Sequence, residues 1–468
     1  MSVAIRHTAR GWWQQEAEPG PELPRLEEEL AADLVVVGGG YTGMWAAWFV
    51  SELEPEARVV LLESDRCGAG PSGRNGGFVN AMWFGLPALR RRFGDQPALR
   101  LTRAAQEAVE GIGRWCTEQR VDAWYRAGGY LQVSTAPAHD GSWQAVAEAC
   151  AELGVSGACQ PLAEAEVRAR CDSPIFRAGA FYPVAATVQP ARLALGLRAR
   201  LQQRGVTIFE ASRVRRLTAA GPGVEARTDR GCVRARAAVL ATGPALAGHR
   251  PLRRRLTVTS SHMVITEPVP DVVAELGWTG GEGITDSRAM IHYFRTTPDG
   301  RIAFGWGGGR IAPGARLDRR VELDRRVVAK VKRHLVRFFP GLAGRRIEHA
   351  WGGPIDVSPT HLPVVGSVEG GRVHYAFGYT GNGVGPSHLA GRALASLALG
   401  RRDEATRLPI VEPPRVRVPP EPIRYAGGTI VRAALLRRER LEEEGRRPGR
   451  LTRAISGLPE RIGIHIGR

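Results

Sequence analysis

A short, mostly apolar run at 33–37 is followed at once by glycines, then by Tyr41 to Leu53 with its small residues on one side, then by a second apolar run, Arg58 to Leu62. Short continuous runs flanking a longer periodic one predict two buried strands joined by a helix. The signature returns at Val233 to Ala241, which ends in Thr242-Gly243-Pro244, and at His374 to Phe377, which enters a glycine loop and a core helix over Val384 to Leu399.

Between these segments the pattern changes. Stretches near 100–120 and 143–170 are alanine-rich and charge-laced and predict helices, with a strand-like patch at Gly129 to Ser134. Pro190 to Arg204 predicts a helix leading into a strand at Val206 to Phe209. Alternation at Thr257 to Thr266, Met290 to Phe294 and Arg301 to Trp306 predicts half-buried strands, and a basic helix over 319–338 stops at Phe339-Pro340-Gly341. The paired Trp12 and Trp13 suit an N-terminal arm docked on the body. Beyond 400 a proline-rich stretch gives way to a charged helix near 430–446, expected to wrap the body.

The glycines carry the first chemistry. In Val35-Val36-Val37-Gly38-Gly39-Gly40-Tyr41-Thr42-Gly43, Gly38 permits a tight turn, Gly40 lets backbone approach a pyrophosphate, and Gly43 lets the helix pack on the strand. Amides at the helix start hold phosphate charge. Glu63, twenty positions after Gly43 at the end of the next strand, stands where a carboxylate bonds ribose hydroxyls. The cofactor is NAD or FAD on this evidence. A second loop, Ser72-Gly73-Arg74-Asn75-Gly76-Gly77, is too glycine-rich for a helix interior and offers amides and Arg74 to anionic groups.

With that loop the chain resembles the glycine/D-amino-acid oxidase family of FAD enzymes, and within it the gamma-glutamylputrescine oxidase group. Ala241-Thr242-Gly243 is similar to the family's strand end beside the cofactor, and Gly378-Tyr379-Thr380-Gly381-Asn382-Gly383-Val384 to its C-terminal glycine loop. The resemblance implies an α/β fold: a Rossmann-like FAD domain (31–90, 178–255 and 345–400) interleaved with a mostly antiparallel α+β substrate domain (91–177 and 256–344), an arm at 1–30 and a tail at 401–468. It implies FAD contacts at Gly38, Gly40, Tyr41, Thr42, Gly43, Glu63 and Ser64, at Ser72 to Gly77, at Val214, Thr242 and Gly243, and at Gly378, Gly381, Asn382, Gly383 and Val384. The activity implied is oxidation of the C–N bond of a small amine or amino-acid-like substrate, with hydride passing to flavin N5 and the imine then hydrolysed. A flavin monooxygenase is the rival, and a second nicotinamide-binding glycine fingerprint is missing from the sequence.

Departures from the family narrow the reading. No Cys follows Cys232 and no His lies between Glu63 and Gly85, so FAD is expected to be noncovalent. The run Trp351-Gly352-Gly353-Pro354-Ile355-Asp356 lacks the Arg with which relatives clamp an amino-acid carboxylate. Arg295, matching a family position that reaches substrate, is a candidate substrate contact. His262, His361 and Tyr293 are further candidate substrate contacts, and Tyr293, Trp306 and Tyr379 are candidate walls. The only lysines, Lys330 and Lys332, fall in the basic helix, so a lysine that speeds reaction with oxygen is not expected, and the acceptor is oxygen or another species.

Composition changes this picture little. The formal charge of +18 comes almost wholly from arginine spread along the chain, without a basic stripe, so nucleic acid is not an expected partner. Six cysteines without CxxC spacing argue against a metal site, and no stretch reaches membrane-spanning length. A cytoplasmic enzyme is expected.

Overall fold

The computed structural model describes residues 6–7, 10–461 and 463–464; the rest of the expected arm and tail lies outside them. Five parallel strands form the heart of one sheet, in the order Thr207–Phe209, Val59–Leu62, Glu29–Val37, Cys232–Leu240 and Val373–Phe377. Their apolar runs are continuous because both faces are covered: Leu34, Val36 and Leu61 enter one core, Val35, Val37 and Leu62 another. Helices Tyr41–Leu53 and Val384–Ala398 share one face, so close that a Cβ on Gly391 would stand 2.5 Å from Trp45 Cβ.

A second sheet has nine strands. It is antiparallel except where Arg6–His7 meets His349–Ala350 and where Gly283–Asp286 meets Tyr130–Val133. Its longest pairing joins Thr257–Thr266 to Ile347–Val357. Ile347–Val357 and Gly179–Tyr182, both read from the sequence as parts of the FAD domain, are strands of this sheet. Glycines and a proline in Trp351-Gly352-Gly353-Pro354 hide the strand from propensity, and cross-strand pairing overrides it.

Other expectations shift locally. The basic helix at 319–338 is two helices, Arg319–Glu322 and Arg325–Phe338, because Asp324 caps the second by accepting Arg326 N–H at 2.9 Å. The stretch 143–170 holds helices Gln144–Glu152 and Glu164–Arg168 with a strand, Gln160–Leu162, between them.

The described residues of the arm and of the tail pack on the body. Trp12 and Trp13 begin a short helix and are buried, and the Trp13 ring meets that of Trp351 edge-on at 6.1 Å. The tail helix is longer than expected, Ile423–Glu443. No helix of the described residues is long and apolar enough to cross a membrane.

Candidate active site

Four neighbouring parallel strands end on one edge, and the residue after each is one that the sequence singled out: Gly38, Glu63, Ala241-Thr242 and Gly378. Ligands of open α/β sheets bind outside this edge. Gly38 is required twice over, since its φ is +112° and an added Cβ would stand 2.5 Å from Ala241 O. Gly43 is needed for packing, because a Cβ there would come within 2.0 Å of Gly38 O. Helix Tyr41–Leu53 starts from Gly40, which has no side chain to cap it. Glu63 steadies the turn by accepting Gly39 N–H at 2.7 Å, and its other oxygen accepts Ser64 Oγ–H and Asp65 N–H, each at 2.9 Å.

The second loop is stapled to itself and to the first. Asn75 donates to Ser72 O at 2.8 Å and accepts Gly77 N–H at 2.7 Å, while Ser72 Oγ accepts Tyr41 N–H at 2.9 Å. Burial holds the Arg74 guanidinium below its ordinary value, with Glu322 at 4.0 Å acting against that shift. Trp351 Nε1 donates to Arg74 O at 2.9 Å, which ties the loop to the second sheet.

The third loop turns through Gly378, Thr380 and Gly381, all at positive φ, and ends at uncapped Gly383, from which helix Val384–Ala398 starts. Asp356 anchors it, accepting Gly378 N–H at 2.6 Å through its carboxylate and Thr380 N–H at 3.0 Å through its backbone oxygen. Burial pushes Asp356 up to about 6. The first and third loops meet directly, with Thr42 Oγ1 and Tyr379 Oη 2.7 Å apart.

These loops line a single cavity of about 1720 Å³. That exceeds the roughly 300–1,000 Å³ of ordinary ligand pockets, so there is room for a dinucleotide and a second molecule. Gly38, Gly40, Tyr41, Thr42, Glu63, Ser64, Ser72, Arg74, Asn75, Gly76, Val214, Thr242, Gly243, Gly381, Asn382, Gly383 and Val384 line it. Gly43, Gly73, Gly77 and Gly378 stand behind the lining and shape the turns.

The far wall comes from the nine-stranded sheet. Ser261 and Met263 point into the cavity, and Ser261 Oγ lies 2.7 Å from Tyr293 Oη. Burial pushes the Tyr293 phenol up to about 12, and its ring lies over Gly305, where a Cβ would be 2.1 Å from Tyr293 Cζ. Tyr293, His361 and Tyr379 line the cavity.

Three sequence candidates are placed elsewhere. His262 is 0% exposed and lies on the face opposite to Ser261 and Met263, where Nε2 accepts Asp324 N–H at 2.9 Å. Burial holds His262 down at about 4. Arg295, 2% exposed, faces backbone rather than the cavity and donates to Val188 O at 2.5 Å and Gly77 O at 3.4 Å. Burial pushes it down to about 9, and the Trp13 ring lies 5.5 Å beneath its guanidinium. Trp306 also lies outside the lining and gives its N–H to Met290 O at 3.1 Å. Sequence reasoning missed Ser261, Asp356 and the tail residues Val431 and Leu435, which also face the cavity. Strand alternation around His262 was the one signal that could have found Ser261.

A parallel-sheet edge carrying glycine turns and two uncapped helix starts, around a cavity of this size, defines a dinucleotide-dependent enzyme fold. Residues 33–397 match the DAO family, described as FAD dependent oxidoreductase, and the chain belongs to that family. It is similar to gamma-glutamylputrescine oxidoreductase of Escherichia coli (29% identical over 397 residues, 82% of this chain and 88% of the relative). It is similar also to the probable oxidoreductase OrdL of Haemophilus influenzae (26% over 406 residues, 86% and 90%). Glycine oxidase from Geobacillus kaustophilus shares the fold, with a TM-score of 0.68 at 19% identity, covering 83% of this chain and 100% of that one. The protein is an FAD-dependent oxidoreductase.

Proposed function

We propose that the protein oxidises the C–N bond of a small amine to an imine, which water then hydrolyses, using noncovalently held FAD. The observation that carries this reading is the Thr42–Tyr379 contact, which joins glycine loops 337 residues apart around one cavity whose opposite wall holds Tyr293 and Ser261. FAD, when bound, supplies the two-electron acceptor. Backbone amides of the turn at 38–40 and of the two helix starts would hold its phosphate charge, and Glu63 its ribose. The start of Val384–Ala398 favours negative charge in the site.

The chain's own groups orient the substrate and exclude water. Tyr293 stays protonated through the physiological range, so its hydroxyl and that of Ser261 serve as hydrogen-bonding partners rather than as bases. A neutral amine needs no strong base here, and the site's main task is to hold the reacting C–H bond at short range. An amine fits better than an amino acid because the run Trp351 to Asp356 holds no Arg for a carboxylate and Arg295, the other candidate, faces backbone. The Escherichia coli relative, named for an amine, supports the same choice. Neither lysine lines the cavity, and Lys330 lies 5.8 Å from the Trp306 ring centre. This favours, as a second reading, a dehydrogenase that passes electrons to an acceptor other than oxygen. The FAD and substrate regions follow the two sheets, and a cytoplasmic location belongs to the same reading.

Anaerobic mixing with polyamines, gamma-glutamyl amines, N-methyl glycines and D-amino acids tests it. Loss of the flavin's visible absorbance with an amine is expected, whereas loss with NADPH alone overturns the reading in favour of a monooxygenase. Acid denaturation should release all flavin colour into the supernatant.

A further inference from the structure

Helix Ile423–Glu443, 21 residues outside the family match at 33–397, lines one side of the cavity. At 1.5 Å per residue it is a bar about 30 Å long, pinned at three levels. Near its start Arg424 Nη1 donates to Arg253 O at 3.0 Å and Leu256 O at 3.2 Å. Midway, Arg432 gives Nε–H to Gly309 O and Nη2–H to Gly308 O, both at 2.5 Å. At its end Glu439 accepts Met290 N–H at 2.8 Å, Glu443 pairs with Arg288 and, at 2.6 Å, with Arg337, and Glu442 stands 3.5 Å from His139.

One face of the bar looks into the cavity: Gly427, Gly428, Val431, Arg432 and Leu435, the three-and-four spacing of a single helix face. Glycine inside a helix is destabilising relative to alanine. At Gly428 there is a packing reason, since a Cβ would stand 2.7 Å from Ile311 Cδ1. At Gly427 there is none: the position is helical, its φ is not positive, and an added Cβ would meet nothing within 4 Å. The space there opens on the cavity, flanked one turn on by Val431.

We infer that this helix face is the substrate-length filter of the enzyme, with the notch at Gly427 receiving the far end of the amine's carbon chain. The inference rests on the amine reading above. It assigns chain-length selectivity to a segment that the family match leaves out, while the matched body supplies the cofactor end.

Two substitutions in the full-length holoenzyme test it from opposite sides. Gly427→Leu fills the notch with a better helix former, and Val431→Ala widens its flank. Straight-chain primary amines of increasing length are mixed anaerobically with each, and the ratio of flavin bleaching rates for the longest and shortest amines is read. Gly427→Leu should lower that ratio at least about tenfold, the scale of methylene discrimination in an apolar pocket, and Val431→Ala should raise it. Acrylamide quenching of flavin fluorescence is read in parallel, and its constant should fall in Gly427→Leu. If wild type bleaches with no amine, the amine reading fails and the quenching constant alone decides the filter. An unchanged length ratio in a protein that bleaches, or an unchanged quenching constant in one that does not, overturns the filter.

Discussion

At the sheet end of the cavity each key residue directly follows its own strand, as Gly38 follows Val37 and Glu63 follows Leu62, and backbone does most of the shaping. At the far end the wall is made of side chains from distant stretches: Ser261, Tyr293, Trp351 and Leu435 come from three strands and the tail helix. Substitutions at the first end should therefore act on cofactor retention, and substitutions at the second on substrate, with stability depending on what lies behind both. Described residues outside the family match support both regions: Gln14 donates to Gly68 O and Ala69 O at 3.0 Å beside the cofactor loops, while Trp13 lies against Trp351 and Leu435 joins the far wall.

The largest expected effect tests the support shared by both regions. Trp13 is fully buried against Trp351 and beneath Arg295. Trp13→Ala should cost about 3–5 kcal/mol of stability, as large-to-small core substitutions do, read by denaturant unfolding of the holoprotein. A cost under about 1 kcal/mol would show that the arm is not part of the core.

Gly38→Ala probes the sheet end alone. The forced positive φ and the contact with Ala241 O should add about 1–3 kcal/mol of strain, weakening FAD binding roughly five- to 150-fold. Flavin content after dialysis measures this, and full retention in a folded variant would break the distinction between the regions.

The contact between the first and third loops is a smaller effect. Thr42→Val and Tyr379→Phe, alone and together, should give a coupling energy of about 1 kcal/mol in FAD affinity, the usual net value of a hydrogen bond. Additive single effects would mean that the two loops close independently.

The smallest effect concerns the tail. Burial pushes Glu439 up to about 7, from an ordinary 4.5, with Asp286 and Glu442 raising it further and Arg288 and the Met290 amide opposing. A raised carboxyl binds its proton more tightly when folded, so its contribution is full below the unfolded value and is lost as pH rises through the folded one. Glu439→Gln should therefore gain Tm relative to wild type between about pH 5 and pH 8. A constant difference across that window would mean that Glu439 stays ionised in the fold.

Where the sequence failed, it failed in one way. It named His262, Arg295 and Tyr293 as candidates alike, and the structure turns only Tyr293 to the cavity. His262 sits one residue from Ser261, so its face follows from period two once the strand's register against Ile347–Val357 is known. Arg295 shares the face of Tyr293 two residues further on, yet there the wall is backbone at Gly77 and Val188. No local pattern reports what lies opposite. The tail was legible as a charged helix near 430–446 but not as a wall, because Gly428 and Arg432 acquire meaning only beside Ile311 and the carbonyls of Gly308 and Gly309.

The sequence by itself determined the strand–turn–helix at 33–53, the three glycine loops and the FAD family, because a positive φ, a close backbone approach and an uncapped helix start are properties of a few adjacent residues. Only the tertiary structure decided which side chains face the cavity, which sheet holds Ile347–Val357, and that the tail helix lines the cavity. Those outcomes depend on register and on partners hundreds of residues away, which side-chain packing selects and local sequence does not encode.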